Sequence, residues 1–120
     1  MNESILTTTK KLLGIPEDYT HFDSDLVVFI NSALNILTEM GVGDKEGFVI
    51  TGSNELWTDY IPNYSKLSMI KEFVYLKVRL MFDPPQSNAF IEAINSRLDE
   101  LTYRIYITAD PDQLTFGDLT

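Results

Sequence analysis

The sequence predicts an all-α fold, a small bundle of about four helices, and three observations carry that expectation. Apolar residues recur with helical period over residues 26–40 and again over 69–81. The second run halts at Asp83-Pro84-Pro85, where proline removes an N–H donor and forces the preceding residue out of the α region. A narrower apolar stripe then starts at once: Phe90, Ile91, Ile94, Leu98, Leu101 and Ile105. Two packed rods joined by a prolyl corner make a scaffold.

The first helix is short. Ser4 is placed to cap it, Ile5, Leu6, Leu12 and Leu13 give an apolar stripe, and Gly14 with Pro16 ends it. A loop, Pro16-Glu17-Asp18-Tyr19-Thr20-His21-Phe22, leads to Asp23-Ser24-Asp25, whose short oxygen acceptors and negative charge suit a helix start. In the second helix Leu26, Phe29, Ile30, Ala33, Leu34, Ile36, Leu37 and Met40 share one broad face. Asn31, Ser32, Asn35, Thr38 and Glu39 share the other, with Val28 stranded among them. Gly41 ends this helix as a left-handed cap.

Residues 47–51, bounded by Gly47 and Gly52, read as one short extended segment without a sheet partner. Ser53 or Asn54 caps a brief helical turn, and Trp57 supplies a large apolar lid for the core. The third main helix begins near Ser65 and runs to Phe82, apolar over most of its circumference. Ser68, Lys71, Glu72, Tyr75 and Arg79 form its polar strip, and Lys77 must snorkel or find a carboxylate. Ser87 or Asn88 caps the last helix, whose outer side carries Glu92, Asn95, Arg97, Asp99, Glu100 and Arg104. Residues 1–107 therefore form one helical domain, and 108–120 an acidic tail with three apolar anchors, Leu114, Phe116 and Leu119, mobile until a partner orders it.

Composition narrows the function. Eighteen acids against 9 bases leave a net charge of −9, which opposes any grip on nucleic-acid phosphates. Cysteine is absent, so disulfides, thiolate nucleophiles and zinc–thiolate sites are excluded. No secretory signal or membrane span is expected, the apolar runs being short and interrupted. His21 is the only histidine, so no histidine metal cluster exists, and a loop histidine beside Phe22 suits packing better than base catalysis. Gly41-Val42-Gly43-Asp44-Lys45 follows a helix rather than a strand and terminates it instead of cradling phosphate. Asp23/Asp25 and Asp99/Glu100 read as a helix start and a solvated face, and Lys10-Lys11 as cations at a helix end. The chain is not expected to be an enzyme and needs no cofactor.

Four stretches in order carry a family resemblance: Lys11-Leu12-Leu13-Gly14-Ile15; Phe22-Asp23-Ser24-Asp25 with the helix ending Met40-Gly41-Val42-Gly43; Phe73-Val74-Tyr75-Leu76-Lys77-Val78-Arg79-Leu80-Met81-Phe82-Asp83-Pro84-Pro85; and Leu98-Asp99-Glu100-Leu101-Thr102-Tyr103-Arg104-Ile105. In these the chain resembles the head–tail connector (adaptor, "DNA packaging") proteins of tailed bacteriophages. The resemblance implies a structural subunit of the virion's head–tail junction, assembled in the host cytoplasm. It would form a ring of about a dozen copies beneath the portal, extend the DNA channel and dock the tail or stopper protein. It also implies that the C-terminal segment engages the portal, a use for Leu114, Phe116 and Leu119.

A ring requires two different faces on each subunit. Val28 and Glu39 on the second helix and Arg97 and Arg104 on the last are the candidate opposing faces. Glu92, Asp99 and Glu100 are candidate channel-lining acids that let DNA pass without binding. The competing readings are a small acidic helical regulator of a basic protein partner, which requires clustered acids, and a hydrolase or metal enzyme, which the residue inventory disfavours.

Overall fold

The computed structural model describes residues 3–61 and 67–109. Within them the chain is all-α, with helices α1 (Ile5–Leu13), α2 (Asp23–Glu39), α3 (Trp57–Tyr60), α4 (Leu67–Phe82) and α5 (Asn88–Ala109), and no strand. The short α3 is the brief helical turn expected after Ser53 or Asn54. Ser65, where the long third helix was expected to begin, lies outside the described residues.

Helix ends follow local chemistry. Ser4 accepts the Thr7 N–H at 3.2 Å and starts α1. Both α1 and α2 end in Schellman geometry around a left-handed glycine, Gly14 at φ 83° and Gly41 at φ 95°. After α2 the Gly41 N–H reaches the Thr38 carbonyl at 3.0 Å and the Val42 N–H the Leu37 carbonyl at 2.9 Å, which plants Val42 in the core. Asp23 and Asp25 do fill the first turn of α2, but neither caps it by a side-chain hydrogen bond. Asp23 is engaged elsewhere. For α3 the reciprocal contact comes from inside the helix rather than from Ser53 or Asn54, since Asp59 accepts the Leu56 N–H at 2.9 Å.

Helix α4 is the hub, packing against α1, α2 and α5. That explains its broad apolar circumference: Ile70, Phe73, Val74, Leu76 and Val78 are all buried. Trp57, 1% exposed, closes the core as expected. The head of Lys77 lies 5.8 Å from the centre of the Phe73 ring, a cation–π placement that leaves its stem along apolar surface.

Two expected stripes are corrected. On α1 the buried residues are Ile5, Leu6, Thr9 and Lys10, spaced i, i+1, i+4, i+5, while Leu12 falls on the solvent side. On α5 the buried set is Ile94, Leu98, Leu101 and Ile105. Phe90 and Ile91 lie about 50° to either side of that line at ~100° per residue; Phe90 is 65% exposed and Ile91 half-buried. The four core side chains contribute about 1.5–3 kcal/mol each, before chain entropy, to seating α5 on α4.

Between the rods the corner is rigid. The Asp83 N–H still bonds to the Arg79 carbonyl at 2.9 Å, Arg79 Nε donates to the Asp83 carbonyl at 3.0 Å, and α5 begins at Asn88 with Ser87 as its cap. Below the corner Phe22 from the α1–α2 loop meets Phe82 edge-on, ring centres 5.1 Å apart.

Residues 47–51 form no strand. They lie beside α2, with Asn31 accepting the Ile50 N–H at 2.8 Å and donating to the Ile50 carbonyl at 3.0 Å.

Candidate functional site

The described residues assemble no reaction centre. Among the described residues no group of three His, Asp or Glu side chains could hold a metal ion. His21 packs edge-on against Phe22 with ring centres 4.8 Å apart, in an exposed loop. Gly41 to Lys45 end a helix, as their sequence implies. A cleft of about 290 Å³ beside Thr7, Lys11, Gly14 and Glu17 gathers neither a nucleophile–base pair nor a set of ligands. None of the helices described is long and apolar enough to cross a membrane.

What the fold does present is surface. On α2 the outward line Asp25, Val28, Ser32, Asn35 and Glu39 follows helical spacing, and Val28 at 63% exposed is its apolar centre. On α5, which packs chiefly on α4, most of the circumference faces outward. One edge carries Phe90, Arg97 and Arg104; the far side carries Glu92, Asp99 and Tyr103. Phe90, like Leu12 on α1, is a surface residue that sequence reasoning assigned to a buried stripe. The available signal was its displacement from the centre of the stripe.

The charges on α5 are partly spent within the chain. Arg97 clasps Glu72 of α4 through two bonds, Nε to Oε2 at 2.7 Å and a terminal nitrogen to Oε1 at 2.9 Å. Its other terminal nitrogen reaches Glu100 at 3.0 Å, and Arg104 reaches the same carboxylate at 3.0 Å. The guanidinium bonds hold the Glu72 carboxyl below the usual carboxylate range, and the same contacts push Arg97 upward. Of the three acids expected to line a channel, Glu100 is thus matched by two arginines. Glu92 and Asp99 are exposed, with no ion-pair partner among the described residues.

Lys10 is the second residue that the sequence concealed. It is only 2% exposed, pairs with Asp23 at 2.9 Å and donates to the Glu17 carbonyl at 2.9 Å, pinning the end of α1, the loop and the start of α2 together. Leu114, Phe116 and Leu119, the expected portal anchors, lie outside the described residues.

Comparison with known proteins agrees with a structural reading. Neither the curated proteins nor the solved structures yield a significant match. The profile of the family described as "Phage connector protein" matches residues 5–112, a span that takes in all five helices and the prolyl corner. The chain belongs to the phage connector protein family, a family of structural proteins of the virion that associate with other phage structural proteins.

Proposed function

We propose that this chain is a head–tail connector subunit that assembles as a ring under the portal, extends the DNA channel and docks the tail or stopper. The family match over residues 5–112 carries this reading. The surface supports it: exposed apolar side chains stand on two different helices, Val28 on α2 and Phe90 on α5, as heterologous contacts between copies demand. Val28 and Glu39 of one copy would face Arg97 and Arg104 of the next. Because Arg97 also fastens α5 to α4 and Arg104 is paired with Glu100, Phe90 is the more separable part of this contact.

Glu92 and Asp99, unmatched and on the outward side of α5, would repel the DNA backbone as it passes; Glu100 would do so less, being paired. The helical domain, placed at 1–107 from the sequence, would extend to the close of α5 at Ala109, and the acidic tail beyond it would reach the portal through Leu114, Phe116 and Leu119. The protein would gather in the host cytoplasm before joining the head. Electron microscopy of the purified chain, alone and mixed with portal rings, tests the reading. Rings or added density on the portal are expected. A chain that stays monomeric and leaves portal rings bare would overturn it.

A further inference from the structure

Residues 48–50 run as a short extended segment without a sheet, entered through Gly47 at φ 91° and closed by a bend at Thr51. Both polar backbone groups of Ile50 meet one carboxamide, Asn31, at 2.8 and 3.0 Å, which requires N–H and C=O to point the same way, as in an extended residue. Burial alternates with period two: Phe48 packs on the Tyr60 ring at 5.1 Å, Val49 is 63% exposed, and Ile50 is buried. Asn31 therefore occupies one lateral edge at Ile50, and backbone alternation turns the Val49 N–H and C=O to the opposite edge. Among the described residues neither group of Val49 has a hydrogen-bond partner, whereas the N–H groups of Gly47 and Thr51 are taken by the Asp44 carbonyl and Glu55. The residues are strand formers, Phe-Val-Ile-Thr, held open by glycines.

We propose that this edge accepts an added strand from another protein of the virion, an extended segment with an apolar or β-branched side chain beside Val49 and basic residues at its ends. Backbone pairing at Val49 supplies the recognition, as in strand addition generally. Charge selects the partner. Asp44, Glu46 and Glu55 outnumber the single cation Lys45 beside this segment, and pairing it with a second copy in antiparallel fashion, Val49 against Val49, would bring Glu46 of each opposite Gly52 of the other, beside the Glu55 carboxylate that Thr51 holds there. A segment ending in lysine or arginine meets attraction instead. This inference rests on the connector reading only in drawing the partner from the virion.

Hydrogen exchange of the intact chain, free and in purified virions, is the test. Val49 is expected to exchange freely in the isolated chain and at least about tenfold more slowly in virions, while Ile50, already bonded to Asn31, changes little. Val49→Pro removes the N–H without disturbing a bond or the core and is expected to fold, by circular dichroism, yet be excluded from virions; Val49→Thr keeps the donor and is expected to enter. Equal exchange of Val49 in both states, or normal incorporation of Val49→Pro, would overturn the proposal. Protection that rises with concentration of the free chain would overturn it in favour of self-pairing. A wild-type chain missing from virions would remove the connector reading itself, an outcome distinct from a chain that is present but unprotected.

Discussion

The side chain of Asn31 replaces a neighbouring strand for Ile50: it accepts the Ile50 N–H at 2.8 Å and donates to the Ile50 carbonyl at 3.0 Å, across 19 residues of sequence. One carboxamide thus holds an extended segment against a helix. Asn31→Ala leaves both backbone groups without that partner beside the core and is expected to destabilise the fold by about 1–3 kcal/mol. Asn31→Asp keeps the acceptor and loses the donor, so an intermediate loss is expected. Chemical denaturation, with exchange at the Ile50 amide as the local reporter, measures both.

Lys10 and Asp23 form a pair in which the cation is buried, so the two single deletions should differ. Asp23→Ala strands a buried ammonium whose remaining acceptor is the Glu17 carbonyl, and a loss toward the low end of ~3–5 kcal/mol is expected because Asp23 itself is partly solvated. Lys10→Met fills the same space without charge and is expected to be milder. In the double variant Lys10→Met with Asp23→Ala, the loss should fall well short of the sum. Denaturant titration of the three variants gives the coupling directly.

The Glu72–Arg97 clasp makes a pH prediction with a definite sign. Hydrogen bonds from Arg97 lower the Glu72 pKa below the ordinary value of 4.5, so the folded state binds this proton less readily than the unfolded chain. Its contribution is complete above about pH 4.5 and is lost as pH falls through the lowered folded value. Glu3, held down by Lys71, and Glu55, held down by the Thr51 hydroxyl, act in the same direction. Thermal melts between pH 3 and 7 are expected to show a smaller acid-side loss for Glu72→Gln than for the wild type, with its Tm lower by a few degrees at neutral pH.

Substitution at Phe90 tests folding and assembly separately. Its ring is largely in solvent, so Phe90→Ser should change stability by less than about 0.5 kcal/mol. Under the ring proposal the same substitution should prevent copies from associating. Melting curves measure the first effect and sedimentation of portal mixtures the second; normal assembly by this variant would remove Phe90 from the interface.

Punctuation made much of this fold legible in the sequence. Ser4, Gly14, Gly41, Pro84-Pro85 and Ser87 act within a few residues of where they stand, so helix ends could be read without tertiary information. The breadth of the α4 stripe likewise announced a central helix. What escaped depends on distant partners. Lys10 resembles a surface lysine until the loop brings up Glu17 and Asp23, and nothing local distinguishes Asn31 from the other polar residues of α2. For the surface, Val28 was visible as an apolar residue on a polar face. Phe90 was not, because an apolar side chain beside an apolar stripe is assigned inward by periodicity alone, and how far the neighbouring helix covers it is a matter of packing.

The claim on which the rest depends is that these packed rods stand in the channel wall between head and tail. A cryo-electron microscopy map of the head–tail junction tests it most directly. A ring of α4–α5 hairpins, bent at Pro84-Pro85, with Glu92 and Asp99 toward the lumen, is expected. A junction fully explained by other proteins, with no density for this fold, would contradict it.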